Sequence, residues 1–255
     1  MRVDSLLKRF RRDNPIDESH FFAQVKTCQI DSLWFLYEQY FSAKTNGIFV
    51  EVGGYDGLFV SNSWGLANAG WTGHLIEPNP QMAQRCREAH SRNKNVSVTE
   101  VAIGPVGVKS IDLHLAGTLS TANPVLFEEY KSVEWAKQSL VGSSTIRVNC
   151  ITLDEFIEEN QIPIGFDVLI VDVEGFEAEV FAGFTLAKWR PKMIIVELVN
   201  THPDLETTRK SDAQLQMAVA DAGYQVAFKD MINTVFVCNE NWLGFQQVQH
   251  EKSEV

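Results

Sequence analysis

Apolar residues fall in two rhythms along this chain. Over residues 17–44, Phe22, Val25, Leu33, Leu36, Tyr37 and Tyr40 recur at three- and four-residue intervals. That is the spacing of one helix face, and it predicts two helices ahead of the first strand. From residue 48 the rhythm becomes short and nearly continuous: IFVEV (48–52), GHLIE (73–77), VSVTEVAI (96–103), FDVLIVDV (166–173) and KMIIVELV (192–199). Runs of this kind are strands buried on both faces. Helical segments stand between several of them, PQMAQRCREAHS after the second and FEAEVFAGF after the fourth. The alternation predicts an α/β fold with a mostly parallel sheet covered by helices on both faces.

Two regions break the alternation. VKSIDLHLAG (108–117) and TIRVNCITL (145–153) read as additional strands, with the mixed segment NPVLFEEYKSVEWAKQ between them. A connection of that size inside a compact domain serves as a lid or substrate wall. Near the end, YQVAF and TVFVC flank the polar turn KDMIN and predict an antiparallel hairpin at the sheet edge. The polar tail QQVQHEKSEV is expected to be disordered. The division that follows is an N-terminal helical extension over 1–46, a main domain over 47–240 with an insertion at about 108–146, and a tail over 241–255. Several polar residues have local duties. TLDE, Thr152 to Glu155, matches a capping box. Asn79 before Pro80 is an N-cap with a first-turn proline. Gly223 is placed to end the helix of SDAQLQMAVADA.

Composition narrows the class. The 255 residues include 45% hydrophobic residues, enough for a sizeable core in one large domain. No apolar run reaches the length of a membrane span, and the start MRVDSLLKRFRRDNP has no signal-peptide character. The expected location is cytoplasmic. Cys28, Cys86, Cys150 and Cys238 lie far apart in sequence, which reads as buried thiols in a reducing compartment and not as a zinc set. The net charge of -11 argues against nucleic acid as a partner. Lys8, Arg9, Arg11 and Arg12 read as the solvated face of a leading helix. Nothing in the composition speaks to oligomeric state.

The acids collect where ligands bind in open α/β sheets, beyond the carboxyl ends of the strands. Glu51 and Asp56 flank the glycine loop of FVEVGGYDG. Glu77 ends the second strand, in HLIEPNP, where a carboxylate can accept both hydroxyls of a ribose; the other reading is a helix-entry acid favoured by the following helix. The loop spacing, Gly53, Gly54 and Gly57 with Tyr55 between, departs from the dinucleotide fingerprint. Glu51 and Asp56 would repel a pyrophosphate and attract a cation. S-adenosylmethionine carries a sulfonium and an ammonium group and no phosphate, so the acids suit it better than NAD. Asp172 and Glu174 end the fourth strand, two residues apart and therefore on one face, and Glu197 ends the fifth about 4.8 Å away if the strands are neighbours. Carboxylates so crowded need a cation, a cofactor ammonium or a raised pKa that makes one a general base. For Glu177 alone, complementarity to the helix dipole is sufficient. His202, in ELVNTHP, can overhang the cleft as a general base or be an ordinary loop histidine. His114 can line the substrate wall or pack on its sheet.

These residues resemble the FkbM family of methyltransferases. The likeness is carried by NGIFVEVGGYDG, SNSWGL, GWTGHLIEPNP, VAIG, LSTA, TLDEF, DVLIVDVEGFEAEVFAGF and RPKMIIVEL, in order, over roughly residues 27–238. IEPNP and DVEG-x-E are its specific parts; the glycine loop alone is weak. Upstream, TCQIDSLWFLYEQY is similar to a helix that precedes the first strand in one branch. The resemblance implies a class I, Rossmann-like fold with a seven-stranded, mostly parallel sheet whose last strand is antiparallel. It implies S-adenosylmethionine as cofactor and O-methylation of a hydroxyl on a sugar, glycan or natural product. Carried over by position, Glu51, Gly53, Tyr55, Asp56 and Gly57 form the cofactor loop, with Asn62, Glu77, Ala102 and Asp172 also on the cofactor. Asp172, Glu174, Glu197 and His202 are the catalytic candidates, and Ser120 and Thr121 the acceptor contacts. Gly54-Tyr55 departs from the family, which more often has alanine and a small polar residue there. A divalent cation held by Asp172 and Glu174 is the alternative use of the acids. The rival functions are an NAD-dependent oxidoreductase and a non-catalytic binding protein on the same fold.

Overall fold

A computed structural model of the protein describes residues 20–199 and 201–239. The expected basic helix face at Lys8 to Arg12 and the polar tail lie outside the described residues. In chain order the elements are α1 (Leu33–Phe41), β1 (Ile48–Val52), α2 (Trp64–Asn68), β2 (Thr72–Ile76), α3 (Pro80–Ala89), β3 (Val96–Thr99), β4 (Ala102–Ile103) and β5 (Ser110–Leu115). They continue with α4 (Pro124–Tyr130), β6 (Ser144–Ile151), α5 (Leu153–Glu159), β7 (Val168–Val171), α6 (Glu177–Ala182) and α7 (Leu186–Trp189). The last are β8 (Met193–Glu197), α8 (Arg209–Asp221), β9 (Tyr224–Lys229) and β10 (Asn233–Cys238).

The main sheet has seven strands in the order β3-β2-β1-β7-β8-β10-β9. Its first five are parallel, and β10 runs antiparallel to both neighbours. This is the class I methyltransferase-like architecture. Alternate side chains of each strand enter opposite layers, as the pleat requires. Val50, Leu169, Val171, Ile194 and Phe236 join one core with Phe156, Val180 and Val219 of α5, α6 and α8. Phe49, Leu75, Ile170, Ile195 and Val235 join the other with Leu33, Tyr37 and Trp71. Close packing there demands glycine at residue 73, where a Cβ would stand 2.3 Å from the Phe49 ring. A small second sheet, β4-β6-β5, carries the insertion. A third cluster joins Leu126 and Tyr130 of the insertion to Leu205.

The caps form as the local sequence dictates. Asn79 Oδ1 accepts the Gln81 N–H at 3.0 Å, Thr152 and Glu155 form the reciprocal box, and Gly223 turns left-handed with φ 93°. The four cysteines are buried and free. No helix among the described residues is long and apolar enough to cross a membrane.

Three expectations are corrected. Described residues 20–44 hold one helix, not two. Residues 20–32 proceed through turns, with Cys28 N–H donating to the Val25 carbonyl and Leu33 N–H to that of Ile30. Phe22, Cys28 and Ile30 are buried there without helical geometry, because the side chains of this segment dock outward on other elements: Gln24 Oε1 accepts from Gly65 N–H. The run 96–103 is two strands. The chain leaves the main sheet after Thr99, passes the exposed Glu100, and re-pairs as β4 with β6. The final hairpin is not wholly at the edge, since β10 inserts between β8 and β9 and all six of its residues are buried.

The insertion of β10 sets up a contrast between two paired positions. Phe236→Ala should destabilise by about 3–5 kcal/mol, the cost of a large core deletion. Val226→Ala, on the edge strand opposite it, should cost under about 1 kcal/mol. Urea unfolding monitored by circular dichroism measures both.

Candidate functional site

The parallel strands stop in step. Val52 is paired with Ile76 on one side and Val171 on the other, and Val171 with Val196. The next residue of each chain segment, Gly53, Glu77, Asp172 or Glu197, therefore emerges in one row at the carboxyl edge. The strand order reverses between β1 and β7, so their loops diverge and leave a crevice.

The glycine loop closes one side of that crevice. Gly53 adopts φ 92°, and a Cβ there would lie 1.7 Å from the Asp172 carbonyl oxygen, so no other residue fits. The N–H groups of Gly53 and Gly54 both donate to the Ile76 carbonyl. Tyr55 N–H donates to Glu77 Oε2 at 2.9 Å, and Asn79 N–H to Glu77 Oε1 at 2.8 Å. Glu77 is thus clamped between the loop and the start of α3 with one backbone donor on each oxygen. Burial raises its pKa to about 7 against the pull of those two bonds.

A cavity runs along the loop, bordered by Glu51, Gly53, Tyr55, Glu77, Ala102 and Asp172, with Asn62, Ser120 and Gln29 further round. Glu51 is buried, accepts the Ser63 hydroxyl at 2.6 Å, and is raised to about 7, chiefly by burial. Asn62 Nδ2 donates to Gln29 Oε1 at 2.8 Å. Among the described residues no lysine or arginine lines this cavity. Three of its residues hold left-handed backbone without being glycine: Tyr55 (φ 45°), Val60 (φ 50°) and Glu174 (φ 55°). That conformation is costly for a β-branched valine above all, and strain of this kind gathers at functional sites.

A second cavity, of about 160 Å³, adjoins the first and shares Gln29, Phe59, Val60, Thr118 and Glu174 with it. Acids crowd their junction. One carboxylate oxygen each of Asp172, Glu177 and Glu197 lies within 4.8 Å of the others. Burial raises the pKa of Asp172, while hydrogen bonds with Glu197 and Gln29 oppose it. Burial, then the charges of Asp172 and Glu174, hold Glu197 well above the ordinary carboxylate range. Two carboxyl groups this close and this buried favour the protonated form of one of them. Glu177 Oε1 accepts the N–H groups of Val173 (2.9 Å) and Gly175 (3.3 Å), yet burial still pushes it up to about 8. Glu174 accepts the Tyr130 hydroxyl at 3.1 Å and is raised well above its ordinary value by burial and by Asp172.

Of the residues predicted from sequence, Glu51, Gly53, Tyr55, Asn62, Glu77, Ala102, Ser120, Asp172 and Glu174 border the first cavity. Glu197 and His202 border the second. His202 is buried, its Nδ1 accepts from Asp204 N–H at 3.2 Å, and burial lowers its pKa. Asp56, Gly57 and Thr121 border neither cavity. Asp56 Oδ1 closes its own turn on the N–H groups of Leu58 and Phe59. Gly57 lies against α3, where a Cβ would meet Cys86 Sγ at 2.8 Å. Thr121 is fully buried and its Oγ1 caps Asn123 N–H at 2.9 Å. His114 stacks on Phe127 at 4.5 Å. A group of three acids close enough to share an ion is Asp172, Glu177 and Glu197, of which Asp172 belongs to the pair named above as the alternative. Sequence reasoning passed over Gln29, Tyr130 and Glu177. Only Glu177 carried a signal, its position in DVEGFE, and the helix-dipole explanation concealed it.

A family model described as "Methyltransferase FkbM domain" matches residues 51–233. No curated protein matches the sequence. Among solved structures, a putative O-methyltransferase from Klebsiella pneumoniae is 13% identical with a TM-score of 0.45, over 93% of this chain and 89% of that one. The O-methyltransferase TomG from Streptomyces achromogenes, involved in tomaymycin synthesis and solved with S-adenosylmethionine, is also 13% identical with a TM-score of 0.45, over 81% and 77%. Likeness at this level carries nothing about substrate.

The raised carboxyl groups make stability depend on pH in an uncommon direction. Glu51, Glu77 and Glu177 have folded pKa values of about 7, 7 and 8 against an ordinary 4.5. The folded state therefore holds protons that the unfolded chain releases. Their contribution is complete below about pH 4.5 and is lost as pH rises through 7 to 8. The melting temperature of the ligand-free protein should fall from pH 5 to pH 8. Glu177→Gln keeps the amide-accepting oxygen and removes the charge. It should raise the melting temperature at pH 8 by about 2–4 °C for each kcal/mol recovered, with a smaller effect at pH 5, as read by differential scanning fluorimetry.

Proposed function

The chain belongs to the FkbM family of S-adenosylmethionine-dependent methyltransferases, and on that premise we propose that it methylates a hydroxyl oxygen of a sugar, glycan or natural product. The observation that carries this reading is the charge of the crevice. Glu51, Glu77 and Asp172 face the first cavity, and among the described residues no basic side chain does. A pyrophosphate there would meet acids and, among the described residues, no basic partner, which disfavours the NAD-dependent alternative. A cationic nucleoside meets attraction.

The residues present fit that nucleoside. Gly53 leaves the backbone bare where a side chain has no room. Glu77, already fixed by two backbone donors, retains lone pairs for the two ribose hydroxyls. Tyr55 and Ala102 supply apolar surface beside it. S-adenosylmethionine, when bound, supplies an electrophilic methyl group on a positively charged sulfur. The chain's own task is then orientation and proton handling. A hydroxyl held about 3 Å from its target gains most of the available acceleration from position alone. The Asp172–Glu197 pair accepts the hydroxyl proton, its affinity raised by burial and, at Glu197, by the adjoining acids. Glu174, oriented by Tyr130, holds the acceptor. Gln29 bridges Asn62 and Asp172 and so positions the pair.

Equilibrium dialysis tests the cofactor. The protein should retain S-adenosylmethionine and not NAD, and the reverse would overturn the reading. A screen with methyl-labelled cofactor against sugars, glycolipids and polyketide hydroxyls then identifies an acceptor. With that acceptor, Asp172→Asn or Glu197→Gln should lower kcat by about 10²–10⁴. Unchanged transfer in both variants would remove the pair from the mechanism.

A further inference from the structure

Resting on the methyl-transfer reading, we infer that the second cavity is the acceptor site and that it selects a hydroxyl compound with a ring-sized apolar group and no anionic group. Three independent features of the cavity lead there.

The first is position. The second cavity meets the first along Gln29, Phe59, Val60, Thr118 and Glu174, so an occupant of one touches an occupant of the other beside Asp172 and Glu197. The second is shape and lining. Its volume is about 160 Å³, close to the roughly 150 Å³ apolar cavity that holds one benzene ring. Leu119, Leu126, Trp135, Leu205 and Ile232 form its wall. A free sugar, polar on every edge, would lose its hydration against that wall without compensation.

The third is the supply of donors. Glu174, Glu177 and Glu197 line the cavity together, and several nearby donors are already committed. The Tyr130 hydroxyl donates to Glu174 and Trp135 Nε1 to Asp204 at 3.0 Å. The Val173 and Gly175 amides donate to Glu177, and Gln29 bonds with Asp172. Thr118 and Ser139 offer only neutral hydroxyls, and among the described residues no lysine or arginine lines the cavity. His202 is held toward its neutral form by burial, and with Nδ1 accepting from Asp204 N–H it offers one uncharged N–H at Nε2. The cavity thus offers acidic acceptors to a ligand O–H and, among the described residues, no positive charge to a carboxylate or phosphate. Sugar phosphates, nucleotide sugars and uronates are excluded, while aryl- or alkyl-substituted hydroxyl compounds fit.

Benzyl alcohol and benzoate share one ring and differ in charge, and inositol offers hydroxyls without an apolar face. Saturation-transfer difference NMR on the full chain, with S-adenosylhomocysteine present, would compare the three. Benzyl alcohol should bind at least about tenfold more tightly than either, the factor that each 1.4 kcal/mol of differential free energy gives. Leu119→Trp, at a half-buried wall position on the insertion, should fill the cavity and abolish benzyl alcohol binding while S-adenosylhomocysteine affinity is kept. Benzoate or inositol binding as well as benzyl alcohol, no binding by any probe, or benzyl alcohol binding unaffected by Leu119→Trp would each overturn the inference. Loss of S-adenosylhomocysteine binding by the parent chain would instead count against the methyl-transfer reading. Leu205→Ala keeps the test sound if Leu119→Trp fails to fold, because enlarging the wall should then weaken benzyl alcohol binding several-fold.

Discussion

The shared register of β1, β2, β7 and β8 is the constraint on which the site depends. The backbone hydrogen bonds that pair Val52 with Ile76 and Val171, and Val171 with Val196, leave little freedom in where the next residues appear. A slip of one residue in any of these strands would turn its side chains to the opposite layer. Buried valine and isoleucine on both faces make such a slip prohibitive. The hydrophobic core therefore acts as a ruler for polar chemistry: Glu77, Asp172 and Glu197 are held in one row by residues that have no chemistry of their own.

That row works against stability. Four carboxyl groups, Asp172, Glu174, Glu177 and Glu197, sit near one another largely out of water, and each is raised by burial before its neighbours are considered. Raised proton affinity at Asp172 and Glu197 relieves part of the repulsion, and backbone amides on Glu177 relieve more. What remains is an affinity for positive charge and for donor groups. Backbone strain falls in the same place, at Tyr55, Val60 and Glu174. A fold selected only for stability would hold neither feature, and both become intelligible if the crevice receives a cationic nucleoside beside a hydroxyl.

The reach of local sequence can be followed residue by residue. Asn79, Thr152 and Glu155 cap helices within four positions of themselves, so their duties were readable from neighbours alone. The parallel strands were readable because a strand buried on both faces is apolar at every position. The place of Glu77 beside the glycine loop was readable because it ends a strand parallel to the one that leads into that loop. The surroundings of Asp56 were not readable from its charge: its Oδ1 accepts two amides of its own turn. Residues 20–32 misled because their apolar spacing matches a helix although each side chain docks on a different partner.

Periodicity and the order of motifs by themselves determined the mostly parallel sheet, its covering layers and the gathering of acids at the carboxyl ends of its strands, since each follows from contacts within one element or from residue type. Only the tertiary structure decided that Gln29, from a turn ahead of the first strand, reaches Asp172. It alone decided that Glu177 joins the carboxyl cluster, and that Tyr130 and Trp135 of the insertion wall a second cavity. These are contacts between segments distant in sequence, set by how elements pack rather than by what each contains. No periodicity within a segment records which remote surface it will meet.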